Sequence, residues 1–393
     1  MKKLFAFVSV MALVCVFASS AMAAEWNFYG SARFQTFSVE KDKDFIKKKN
    51  ELADEKKVDD DRDTVWKLDD AVTRVGFKVN HGDWGGHVEL RAAGSHVRHW
   101  YGYWNFGAGQ LLVGQTWSPL STLYSNQGYQ DNGLGKFGDN SYRTQMIQMK
   151  FGGLKIALVS PGSGDVNSFA DWESSSYSRG LAYEASANVG GDKDISIPKI
   201  EFRYNIPLEN FTFDIAGGYN WSELVRTVLD DEGESKEKTY DIHSWTIQAG
   251  GKANLGPMYL TLQTYYSQNF GNYGAWDERV YNNALLNGKD DIEDVNSLGV
   301  LSTIGFKAND MVTIEGGLGY IKSDAEILGA DFEDTAYSWY VQAKLTLSKS
   351  VYLIPEVGQY NYDEYEMKYD DGSSFTREEG AETYVGAKWQ INF

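Results

Sequence analysis

The feature that most constrains this chain is a period of two that recurs to its last residue. In Tyr384–Phe393 one face carries Val385, Ala387, Trp389, Ile391 and Phe393, and the other Gly386, Lys388, Gln390 and Asn392. Successive side chains of a strand point to opposite faces, so this segment reads as a strand with one apolar and one polar side. Trp26, Phe28, Ala32 and Phe34 oppose Asn27, Ser31, Arg33 and Gln35 in the same way, and Trp339, Val341, Ala343 and Leu345 oppose Tyr340, Gln342 and Lys344.

Soluble sandwiches alternate too. Two further signals point to a barrel in lipid. Large aromatics stand at strand ends on the apolar face (Trp26, Trp117, Trp221, Trp245, Trp339, Trp389, Phe393), as in the girdles that mark membrane interfaces. Connections also alternate between tight and long. The tight ones include His81-Gly82-Asp83, Gly152-Gly153 and Leu255-Gly256-Pro257. The strands read as 26–38, 73–81, 84–93, 97–107, 109–118, 143–152, 154–161, 196–207, 211–222, 243–254, 258–269, 297–308, 311–322, 337–348, 351–362 and 381–393. That makes sixteen; fourteen and eighteen are the neighbouring counts. An even count lets the last strand pair with the first, and closure is required because an open edge in lipid leaves backbone groups unsatisfied.

Residues 1–23 read as a cleaved signal peptide: Lys2 and Lys3, an apolar stretch from Leu4 to Phe17, and Ala21-Met22-Ala23 before the expected cut. Residues 24–393 then form a single barrel domain. The one cysteine, Cys15, lies in the signal, so neither disulfides nor thiolate metal sites are expected. Net charge is −18 for the whole chain and becomes −20 without the two lysines of the signal. With no basic stripe, nucleic acid is not an expected partner.

Signal, sixteen strands, a terminal Phe393 and a long third outer connection, Pro119 to Tyr142, together resemble the general diffusion porins of Gram-negative outer membranes. The resemblance implies an all-β transmembrane antiparallel barrel with long outer loops, its third loop folded into the lumen, and three copies in a trimer. It also implies a water-filled channel for small hydrophilic solutes and ions, outer-membrane lipid and lipopolysaccharide as surroundings, and recognition of Phe393 by the barrel-insertion machinery. One departure stands out. Third loops of the family carry several acids, and this one has only Asp131 and Asp139.

Charge is unevenly placed. Segments 163–195, 222–242, 270–296, 323–336 and 363–380 read as outer loops, and hold 31 acids against 9 bases. A solvated rim is the plain reading. Runs such as Asp59-Asp60-Asp61-Arg62-Asp63 lack the spacing and Gly of a calcium loop. The first loop, 40–72, is expected to be helical from Ile46 to Lys57, folding over the mouth or clasping a neighbouring subunit. Parity turns Arg33, Arg74, Lys78, Arg91 and Lys388 inward on strands that become neighbours on closure, with Lys150, Lys155, Lys199, Arg203, Lys252 and Lys344 inward elsewhere. Inward acids are Glu89, Glu201, Asp214, Glu315 and Glu356. The resemblance casts the first group as a basic ladder at the constriction, and Tyr124, Tyr129, Asp131 and Asp139 as the opposing loop. Charged rings set ion selectivity in narrow pores, so an unpaired ladder favours small anions.

No nucleophile elbow, phosphate loop or metal helix accompanies the five histidines, so neither catalysis nor a cofactor is expected. Two alternatives to an open pore stand. One is a substrate-specific channel for a sugar or anion, using His99, Tyr101, Tyr103, Tyr259 and Tyr265. The other is a non-conducting adhesin or structural barrel with acidic loops as its binding surface.

Overall fold

The computed structural model describes residues 24–393 except 50–57, 93, 95, 123, 132, 139–140, 163–166, 170–185, 189–191, 196, 230–233, 275–279, 288–290 and 328. The signal-peptide expectation lies outside the described residues.

Sixteen antiparallel strands close into a barrel. The first eight are β1 (Glu25–Lys41), β2 (Arg74–His81), β3 (Trp84–Arg91), β4 (Val97–Asn105), β5 (Gln110–Trp117), β6 (Arg143–Phe151), β7 (Leu154–Val159) and β8 (Lys199–Pro207). They are followed by β9 (Phe211–Leu229), β10 (Ser235–Leu255), β11 (Met258–Gln268), β12 (Asn296–Lys307), β13 (Val312–Ile327), β14 (Ala330–Ser348), β15 (Val351–Asn361) and β16 (Ala381–Asn392). Each pairs with the next, and β16 closes on β1 from Ser31↔Asn392 to Lys41↔Glu382.

The barrel is apolar outside and polar inside. Trp26, Phe28, Trp84, Trp100, Trp104, Val113, Ile147, Phe202 and Trp389 are exposed, whereas Arg33, Gln35, Glu89, Glu201, Asp214, Gln263, Glu315 and Lys388 are buried. A water-soluble fold does the reverse; here lipid is the outer solvent. Trp117 departs from the girdle pattern, since its ring meets that of the inward His99 at 6.3 Å.

At one end the strands turn tightly. Gly82, Gly107, Gly152 and Gly256 sit there at φ between 57° and 83°, the left-handed region that favours glycine. Phe393 extends the closing seam: its N–H and C=O exchange hydrogen bonds with Gly30 at 3.0 and 2.6 Å. A Cβ on Gly30 would stand 2.3 Å from the Phe393 ring, so that position has to be glycine for the ring to lie flat on β1.

Several boundaries differ from the sequence reading; segment 363–380, for one, is mostly a hairpin, in which Glu364–Tyr369 pairs with Ser374–Glu378 and with the start of β14. Strand two begins higher, because Asp61–Leu68 already pairs with β1 from Lys41↔Asp61 to Phe34↔Leu68, above a break at 69–73. The acidic run there looked like loop because its polar faces meet water on both sides. Segments 222–242 and 323–336 are strand for most of their length: β9–β10 and β13–β14 rise as paired hairpins, and Tyr240, Ile242 and Phe332 bury inward between outward acids. The first-loop helix is Lys43–Lys49; 50–57 lie outside the described residues. Its Phe45 packs on Tyr362 at 5.2 Å, and Asp42 accepts the Ala381 N–H at 2.6 Å, so it folds onto the last outer loop of its own chain.

Candidate functional site

Arginines gather on the lumen side of β1–β4. Register sets Ser31 opposite Arg74, Arg74 opposite Arg91, and Lys78 opposite His87. Glu89 lies among them, accepting from the Tyr29 hydroxyl and Arg98 Nε at 2.6 Å each, with Arg74 Nε at 3.4 Å. Arg98 was invisible to parity. A register shift between Glu89 and Leu90 bulges the β3–β4 ladder, so Arg98 and His99 both turn inward, 7 % and 8 % exposed. The Ala71 carbonyl accepts from Arg98 at 2.7 Å. His99 stacks on His87 at 4.7 Å, and the Arg143 guanidinium stands 3.5 Å over the Trp117 ring. Arg33 Nε reaches Ser31 Oγ at 3.3 Å, and Gln35 donates to Asp69 at 2.7 Å. Lys388 is buried opposite Gln35, one step along the seam from Arg33.

The third outer connection enters the lumen and is fastened to the other side. Glu356 on β15 accepts the backbone N–H groups of Gly128 and Tyr129 at 2.6 and 3.1 Å. Glu315 on β13 accepts from the Asn126 N–H and amide at 3.1 and 2.7 Å. Asp214 on β9 takes the Tyr124 hydroxyl. Side-chain donors serve the same purpose: Arg203 donates to the Ser121 carbonyl, and the Gln248 amide donates to that of Leu120, both at 2.6 Å. Tyr129 stacks on Tyr384 at 4.0 Å and donates to Glu382 at 3.0 Å. Burial holds its phenol well above its ordinary pKa, with the Glu382 charge adding to the effect, so it stays a donor. Tyr124 and Tyr129 are thus wall anchors and do not face Arg74 or Arg91. Asp139 and the side chain of Asp131 lie outside the described residues.

A second insertion has no counterpart in the sequence reading. After β11 the chain forms a short helix, Phe270–Tyr273, entirely buried at Phe270 and Tyr273. Phe270 stacks on the inward Tyr265 at 4.8 Å. Leu120, Tyr129 and Phe137 of the third connection share one apolar cluster with Phe270, Tyr273 and Val280. The two insertions cover the lumen face of β8–β16 and reach β1, where the Tyr129 ring lies 4.9 Å from that of Phe37; among the described residues the face of β2–β4 carries no comparable cover.

A closed sixteen-stranded barrel, apolar outside, with a loop narrowing its polar lumen, is an outer-membrane diffusion channel. The sequence model of the Gram-negative porin family matches residues 9–366, and the chain belongs to that family. A search of curated proteins finds no match. The fold is similar to that of the outer membrane channel DcaP of Acinetobacter baumannii, at TM-score 0.64, 16% identity and coverage of 95% of this chain and 99% of that one. OmpT of Vibrio cholerae, in its trimer form, matches at TM-score 0.54 and 12% identity, over 95% of this chain and 100% of that one. The anion-selective porin from Comamonas acidovorans matches at TM-score 0.53 and 11% identity, over 94% and 100%.

Proposed function

We propose that this porin passes small hydrophilic solutes passively through a water-filled lumen, favours small anions at its constriction, and works as a homotrimer of a mature chain beginning at Ala24. The observation that carries the ion preference is the partition of lumen charge. Glu201, Asp214, Glu315 and Glu356 are engaged with inserted loops, while Arg74, Lys78 and Arg91 line the opposite wall, in which Arg33, Arg98, Glu89 and Asp69 are buried. An ion passing the uncovered wall meets an excess of positive charge. One similar barrel is described as anion-selective and another as a trimer, so the architecture accommodates both properties. Lipopolysaccharide around the acidic rim and the insertion machinery at Phe393 are the partners this reading expects.

Purified protein in a planar bilayer under a salt gradient tests it. A reversal potential on the anion side, with conductance steps arriving in threes, is the expected result; strong cation preference overturns the ion assignment, and steps arriving singly overturn the trimer. A substrate-specific channel is the second reading, favoured by the stacked His87 and His99 and the Tyr101 ring 5.6 Å from His87. Saturable block by one solute would select it.

A further inference from the structure

The third outer connection and the Phe270–Tyr273 helix end on the same atom. Glu201 on β8 is fully buried, and its Oε1 accepts from the Tyr142 hydroxyl and, at 2.8 Å, from that of Tyr273. Tyr142 closes the third connection where it enters β6, whereas Tyr273 ends the helix of the sixth, so two loops far apart in sequence share one acceptor. Lys199, two residues before Glu201 and on the same face, donates to the Tyr273 carbonyl at 2.9 Å. Its ammonium stands 5.1 Å from the Tyr142 ring and 4.9 Å from the Tyr273 ring. A Cβ on Gly218 would fall 2.0 Å from the Tyr273 hydroxyl, so β9 leaves a notch for that side chain.

We infer that Glu201 is the positioning residue of a two-loop constriction, and that the Phe270–Tyr273 helix narrows the bore together with the third connection. A carboxylate buried in the barrel interior needs donors, and the two at Oε1 come from loop tyrosines, with Ser118 and the Lys199 charge beside them. Burial, reinforced by the Glu201 charge, keeps both phenols well above their ordinary pKa, so each remains a donor across the working pH range. Removing either phenol takes one of the two donors from Oε1 and leaves the buried carboxylate under-satisfied, which frees Glu201 to shift and weakens its bond to the other loop. The loops should therefore loosen together. This is independent of ion preference, since it concerns the width of the pore and not the sign of its wall.

The test exploits the lack of cysteine from residue 24 onward. Val280→Cys places a thiol on the sixth connection, at a site 5 % exposed. Its labelling by a membrane-impermeant maleimide is read beside single-channel conductance in Tyr142→Phe, Tyr273→Phe, the double variant, Glu201→Ala and Glu201→Gln. Each Phe variant is expected to raise conductance by at least a fifth and labelling several-fold. The double variant and Glu201→Ala should coincide, with less than the sum of the single effects. Glu201→Gln keeps an acceptor oxygen and should stay near the parent. Heat-shifted gel mobility confirms that each barrel is folded. Parental conductance in folded Glu201→Ala, or parental labelling of Val280→Cys when only Tyr142 is changed, overturns the proposal.

Discussion

The two sides of the lumen use the same kinds of residue for opposite ends. Along β8–β16, Glu201, Asp214, Glu315 and Glu356 accept from loop amides or phenols, and Arg203 and Lys199 donate to loop carbonyls. Charge of both signs there is spent on holding chain inside the barrel. Along β1–β4 the one acid between facing arginines, Glu89, is held by Tyr29, Arg98 and Arg74. A buried carboxylate is stable on either side because donors surround it, and the identity of the donor decides its function. Donors from inserted chain fix a loop, as at Glu315 and Glu356, whereas the donors to Glu89 all belong to the wall itself.

The largest effect that could break this comparison is loss of the basic wall. At about 8 Å from a passing ion, one charge contributes on the order of 0.5–2 kcal/mol between water-like and protein-edge dielectrics. Replacing Arg74, Lys78 and Arg91 together by Ala is expected to lower the anion-to-cation permeability ratio by about tenfold or more, with single-channel conductance changed far less. Reversal potentials give the answer. An unchanged ratio would mean that ions cross elsewhere and that the wall is structural.

On the covered side, Glu356→Ala strands the N–H groups of Gly128 and Tyr129, at about 1–3 kcal/mol for each buried donor left unsatisfied. The barrel ladder is untouched, so the protein should still insert. Its third connection should leave the wall, with larger and noisier conductance and little change in ion ratio. A parental current trace would show that the Tyr129 stack on Tyr384 holds the loop without the carboxylate.

Much of the frame was legible because lipid and water impose a strict period of two. The sixteen strands and the inward parity of Glu89, Glu201, Asp214, Glu315 and Glu356 follow from alternation, and the seven tight turns from the short polar and glycine connections between strands. What failed to show is what alternation does not encode. Arg98 turns inward only because the ladder slips at Glu89/Leu90. The anchoring duty of Glu356 depends on backbone N–H groups, which every residue but proline has. Phe270 and Tyr273 have the same composition as an interface girdle, and the left-handed Asn269 (φ 50°) that heads the helix leaves no signature in composition. The hairpins above 222 and 323 read as loops because a strand clear of the membrane no longer needs an apolar outer face.

The smallest effect is the sharpest test of how the two sides differ, because one substitution can be made on both. Glu89→Gln removes a negative charge from between Arg74 and Arg98, keeps the side chain's size and leaves the Ala71 carbonyl to hold Arg98. The acid is 3 % exposed, behind the arginines it pairs with, so its field at the pore axis is partly cancelled already. The anion preference should rise by roughly twofold, about 0.4 kcal/mol, with conductance unchanged. Glu356→Gln should do the converse: it keeps one oxygen for the Gly128 and Tyr129 N–H groups but weakens both bonds, so current noise rises while the ion ratio stays put. If Glu89→Gln instead lowers the anion preference, Glu89 works as a clamp that aims the arginines. Both sides would then use their acids to hold structure, and the contrast between them would lie in their bases alone.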